Sequence, residues 1–126
     1  MWDGTHYQLM SLASSVYASQ FTNSLAANGW QKLPGGFILQ WCKGADDPGT
    51  PTDSLTQVVT FPIAFPTACL FAISTTKIAS DSNGADAMYQ VIGSPTAANV
   101  TVERQLFGST PAVNVVTTPL IIAGGY

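Results

Sequence analysis

Seven carboxylates, one histidine and two cysteines are the groups in this 126-residue chain that could carry out acid–base, nucleophilic or metal chemistry. Glycosidic cleavage needs two carboxyl groups flanking the bond, one of them held protonated by its surroundings. Here Asp3, Asp46, Asp47, Asp53, Asp81 and Asp86 all fall in loop- or turn-forming stretches, and Glu103 lies in an alternating stretch where pairing with a base or solvation accounts for it. A nucleophilic triad needs a histidine to take the proton. The one histidine, His6, is far from any elbow-like motif, and nothing flanking it supports a three-fold metal site. The expectation is a chain with no catalytic residue, no metal and no cofactor. Aromatic rings offer another chemistry, stacking on the C–H face of a sugar, although most tryptophans pack instead. Trp41 is expected in the core or at a subunit contact and Trp30 as a staple between the N-terminal arm and the β-forming remainder of the chain; Trp2 has no assigned place. Tyr89, beside the Asn83-Gly84 turn, is the aromatic best suited to ligand contact.

Composition narrows the partners. Only 9% of residues are charged while 46% are hydrophobic, so a monomer would have too little charge to solvate its surface, and cover by partner chains is expected. A formal net charge of −3 gives no footprint for phosphate, and nucleic acid is excluded as a partner. The most apolar region, residues 58–73, is interrupted by Thr60, Pro62, Pro66 and Thr67, so no membrane-spanning helix or membrane insertion is expected. No basic run after Met1 leads into an apolar one, which gives no sign of a secretory signal. Cys42 and Cys69 both sit in apolar strand-like stretches and read as small buried thiols rather than a disulfide or metal pair.

The elements emerge from periodicity. Residues 1–28 carry a helix-like apolar spacing at Leu9, Leu12, Ala13 and Val16 that slips by Phe21 and Leu25, with serines lowering helix propensity; a short helical or irregular stem is expected there. Residues 29–126 read as one β domain. Pro34, Gly35 and Gly36 make a tight turn, succeeded by a strand over residues 37–42 with Phe37, Leu39 and Trp41 on one face and Ile38, Gln40 and Cys42 on the other. Being mostly apolar on both faces, this strand needs cover on both. Further strands are expected over residues 57–61, 68–76, 89–92 and 99–107, with shorter segments at 113–116 and 120–123; the prolines at 62 and 66 place that stretch at an edge or crossover. Asn83-Gly84 is a type I′ turn signal expected to join two strands.

Three blocks, NGWQKLPGGFILQW at residues 28–41, VTFPIAFPTACL at 59–70 and IIAGGY at 121–126, resemble the C-terminal domain of bacteriophage tail fibres. The likeness runs from Asn28 to Tyr126, with Cys42 where that family usually has glycine and a glycine-rich ending. It implies an all-β fold, a compact antiparallel β-sandwich-like domain assembled as a homotrimer, attached to the rest of the tail fibre upstream. It also implies a virion protein, assembled in the host cytoplasm, that recognises lipopolysaccharide or another bacterial surface glycan or outer-membrane receptor. The runners-up are a fibre-tip polysaccharide depolymerase, disfavoured by the scarcity of acids, and a purely structural trimerisation module, disfavoured by the polar loops. Core or trimer packing is expected of Trp30, Phe37, Leu39, Trp41, Phe61 and Phe65. Receptor contact is expected on the loops at 43–54, 79–87 and 108–112, where strand packing makes no demand. Asp81, Ser82, Asn83 and Asp86 with Tyr89 are the first choice, and Asp46 with Asp47 the second.

Overall fold

The structure, a computed structural model, describes residues 21–48, 54–79, 86–107 and 116–126. Expectations for residues 1–20 of the stem, with Trp2 and His6, and for Asp53, Asp81, Ser82, Asn83 and residues 108–115 lie outside them; residues 21–28 of the expected stem are described and carry a short strand paired into the β domain. The described chain is all β. Its strands are β1 (Asn23–Ser24), β2 (Gly29–Lys32), β3 (Ile38–Lys43), β4 (Ser54–Thr60), β5 (Cys69–Ile78), β6 (Asp86–Val91), β7 (Asn99–Phe107) and β8 (Thr117–Gly125). They form two antiparallel sheets, a larger one in the order β1-β2-β3-β8-β5 and a smaller one in the order β4-β7-β6.

Alternation along the strands builds the core between these sheets. The larger sheet turns Ile38, Gln40, Cys42, Ile121 and Ala123 inward, and the smaller one contributes Val59, Tyr89, Val100, Val102 and Arg104. Phe61 and Phe65, on the crossover from β4 to β5, close one end with their rings edge to face, 5.3 Å between centroids. The crossover is a consequence of Pro62 and Pro66, which cannot donate to a ladder. Its free backbone finds partners elsewhere: Phe61 and Phe65 donate to the carbonyls of Ala98 and Ala97, and the Gln40 side chain both accepts from Ile63 N (3.0 Å) and donates to Ile63 O (2.8 Å). Gln40 thus acts as a rung of backbone, which is why an amide is tolerated inside.

The strands differ from the sequence expectation in bounds and in pairing. The Asn83-Gly84 pair lies outside the described residues, between two strands as expected, but those strands are not hairpin partners: β5 pairs with β8 and β6 with β7, in different sheets. The segment expected at residues 120–123 belongs to a longer strand, Thr117–Gly125, although Pro119 lies inside it on a central strand; the segment expected at 113–116 falls, but for Val116, outside the described residues. Gly44, just past the end of β3, donates to Pro119 O. In an antiparallel pair one residue points its N–H and C=O the same way, so the donor that proline lacks would have faced the end of β3 and no bond to β5 is lost. Along β5 a register shift between Cys69 and Phe71 turns Ala72, Ser74 and Thr76 inward and leaves the larger Phe71 and Ile73 outside.

The sandwich has two distinct ends. At one, Thr22 O accepts from Lys32 N, residues 33–36 turn with Gly35 and Gly36 both at φ 89°, and the last residue is tied in, Tyr126 O accepting from Thr67 N and Ala68 N. Phe21, the first described residue, lies here. At the other end β3, β5 and β7 finish and β4, β6 and β8 begin, so the described residues on either side of 49–53, 80–85 and 108–115 all lie at the end remote from Phe21.

Candidate functional site

Two regions are not consumed by folding a single chain. The first is the outer face of the larger sheet. Strand pairing sets Gly29, Trp41, Ile122 and Ile73 in one row across four strands, and Gln31, Leu39, Gly124 and Phe71 in the next. The rings of Phe71 and Phe37 lie over Gly124, where any Cβ would meet them, and Trp41 lies over Gly29 while donating its indole N–H to Ala26 O at 3.0 Å. Ile73 and Ile122 are 63% and 53% exposed, and beside them a groove of about 390 Å³ runs between Trp41, Leu120 and Thr75. Lys43, Lys77 and Asp46 rim the loop-end side of this face; a hydrogen bond from Thr118 (2.6 Å) and then the two lysine charges hold the exposed Asp46 carboxyl below its ordinary pKa.

The second region is the loop end, beneath which a layer of polar side chains is buried. Asp47 and Thr117 exchange backbone bonds of 2.8 and 3.1 Å, and the Asp47 carboxylate pairs with Arg104 of β7, both inside the protein. Burial pulls the Arg104 guanidinium below its ordinary pKa. The Tyr89 hydroxyl lies 3.3 Å from Thr117 Oγ1 and accepts from Gln57 Nε2 at 3.4 Å. Gln57 in turn brackets Ala45, accepting its N–H at 3.1 Å and donating to its carbonyl at 3.2 Å.

These contacts correct two of the receptor residues expected from sequence. Tyr89 is 1% exposed and Asp47 2%, so neither ring nor carboxylate is on the surface of the chain. Alternation from Ala87 sends Tyr89 inward, and the backbone pairing of Asp47 with Thr117 folds its loop back onto β8. Asp46 is exposed, and Asp86 opens β6 opposite Phe107. Of the packing residues, Phe61 and Phe65 are buried in the core, Trp30 packs against it with Lys32 Nζ 5.7 Å from its ring, and Phe37, Leu39 and Trp41 are half-buried on the outer face. Arg104 and Gln57 were missed as structural keys. The signal for Arg104 was its place in phase with Val100 and Val102, which marks a cation on an inward face needing a buried partner.

Cys42 and Cys69 are free thiols, and burial pushes Cys42 up to about 11. Among the described residues no cluster of His, Cys, Asp or Glu could hold a metal, and no helix is long and apolar enough to cross a membrane.

A family model described as "Putative tail fiber protein gp53-like, C-terminal" matches residues 32–126. No curated relative matches the sequence. Among solved structures, the R1 pyocin fibre of P. aeruginosa is similar with a TM-score of 0.67 at 26% identity, over 83% of this chain and 28% of that one. An N-truncated R1-type pyocin tail fibre gives 0.67 at 25% identity, over 90% of this chain and 96% of that one. An N-truncated R2-type fibre gives 0.63 at 27%, over 83% and 37%. The chain thus spans little more than a quarter of the first of these fibres, at 28% of its length.

Proposed function

We propose that this chain, which belongs to the gp53-like family of tail-fibre C-terminal domains, is the non-catalytic, host-attaching tip of a trimeric tail fibre. The observation that carries this reading is the polarity of the sandwich. Phe21, upstream of which the rest of a fibre would be reached, lies at one end, and the described roots of the three polar connections lie at the other. A particle that approaches a cell tip first presents those connections to it. Asp81, Ser82, Asn83 and Asp86 lie on or beside one of them and Asp46 beside another, offering short donors and acceptors for the hydroxyls of a surface glycan such as lipopolysaccharide.

The trimer is supported by the outer face of the larger sheet. Exposed Phe71, Ile73, Leu120 and Ile122 form one apolar surface, and only about a tenth of the chain is charged, at 9%. Three copies turning this face to a common axis would bury it and leave the smaller sheet, with Thr56, Thr60, Gln90 and Glu103 outward beside Val58, Met88 and Phe107, to the solvent.

The test is adsorption of the whole protein to a panel of bacterial cells and to lipopolysaccharide purified from them, with reducing-end release measured in parallel. Saturable binding to some strains without release of sugar is expected. Binding to none of them would leave a trimerisation module, and release of reducing ends would make the protein an enzyme.

A further inference from the structure

We infer that Asp47 and Arg104 are positioning residues for attachment: their buried pair, with Thr117, Tyr89 and Gln57, fixes the roots of the three connections at the loop end relative to one another. The inference rests on the reading of that end as the receptor site.

The argument begins with what the pair joins. Asp47 lies on the chain leaving β3, four residues after Lys43, and its backbone is paired to Thr117, the first residue of β8. Arg104 lies near the end of β7, opposite Leu55 of β4 and Tyr89 of β6. The ion pair and the Asp47–Thr117 backbone bonds together therefore tie the root that leads to residues 49–53 to both roots of residues 108–115. The third connection is held by neighbours: Ala79 N donates to Val116 O at 2.9 Å, and Tyr89 N and O bond Thr76 Oγ1 and Ser74 Oγ at 2.8 and 2.7 Å. These two bonds join β6 to β5, the strands that bound residues 80–85, across the gap between the sheets.

An apolar layer would close this end of the core with less desolvation. A buried ion pair is commonly no more stabilising than a well-packed apolar replacement of similar volume, because both charges must be stripped of water. What it adds is direction. A guanidinium and a carboxylate meet in few geometries, whereas methyl groups slide. The pair thus lies where orientation matters more than cohesion, and the binding groups of separate connections need a fixed spacing to meet one ligand.

The test separates cohesion from positioning. In the double variant Asp47→Leu, Arg104→Met the buried charges are replaced by apolar groups, so the melting temperature and assembly state are expected to stay close to those of the parent. Amide hydrogen exchange at the roots, residues 44–48, 105–107 and 116–118, is expected to rise at least tenfold while the middles of β3, β7 and β8 keep their protection. Adsorption to strains that bind the parent is expected to fall at least tenfold. Unchanged exchange at the roots, or unchanged adsorption beside a native melting temperature, overturns the inference. Should the double variant fail to fold, Arg104→Lys keeps the charge without the fork; root exchange that stays at the parent's level there overturns it equally. Exchange is read without any receptor, so a protein that adsorbs to no cell refutes the attachment reading while the role of the pair at the roots is still measured.

Discussion

Gln40 illustrates how one residue can be structural by imitation. Its amide takes the place of a strand against Ile63, so Gln40→Leu would leave the Ile63 N–H and C=O without partners, at a cost of about 1–3 kcal/mol for each orphaned group. Urea unfolding should show a lowered midpoint with an unchanged slope. Cys42 sets an alkaline limit. Its thiol ionises at about 11 in the fold against 9.0 unfolded, so the stability owed to the neutral thiol is full below about 9 and is lost as the pH rises through about 11. Melting measured from pH 8 to 11.5 should fall at the top of that range less in Cys42→Ala than in the parent, and alkylation of Cys42 at pH 8 should require unfolding. Neither the inward turn of Tyr89 nor the burial of Asp47 was legible in the sequence. Tyr89 lies in too short a strand for period alone to say which side is in, and Asp47 lies in a stretch whose composition is that of an exposed loop.

At the scale of elements, periodicity carried the strands well where alternation was long. Residues 99–107 were bounded at both ends because apolar and polar side chains alternate along them, interrupted at Arg104 and Phe107, and the turn at residues 33–36 was legible from Pro34, Gly35 and Gly36. The pairing of strands was less visible. A turn signal reports only that the chain reverses, and between β5 and β6 it reverses from one sheet to the other. Gly29 was named in the sequence only as part of a motif, and the structure supplies its reason: a Cβ there would collide with Ser24 O and lie 2.6 Å from the Trp41 ring. The ring could shift but the backbone carbonyl holds β1 in place. Gly29→Ala is therefore expected to detach β1 and cost about 1–3 kcal/mol, as overpacking does. The check is faster amide exchange at residues 22–24 and 30–32, with the ladder between β3 and β8 unaffected.

For the whole molecule, the inner face of the larger sheet builds the core, and its outer face is the one proposed for assembly. Ile73 and Ile122 are neighbours on the outer face and contribute little to the core. Ile73→Lys with Ile122→Lys should give a chain with native far-UV circular dichroism that sediments as a monomer, whereas the parent is expected to sediment as a trimer. A double variant that still assembles would place the subunit contact elsewhere. The loop end should behave in the opposite way: replacing Asp81, Asn83 and Asp86 together by Ala should abolish adsorption to cells and leave trimer melting unchanged. Lost melting would show that these residues hold the fold, and unchanged adsorption would move receptor contact to another connection.

The arrangement of the ends has a mechanical consequence. With attachment at the loop end, as proposed, a cell there and a particle on the side of Phe21 would pull on opposite ends of the sandwich, so the load would run along the strand axes. Ladder hydrogen bonds lie across those axes. They are therefore loaded in shear and must give way together, where a pull across the sheet would peel them one by one. Such a tether resists strongly until it fails, and its first point of failure is the two-residue ladder that joins β1 to β2, reinforced by the bonds from Lys32 N to Thr22 O and from the Trp41 indole to Ala26 O.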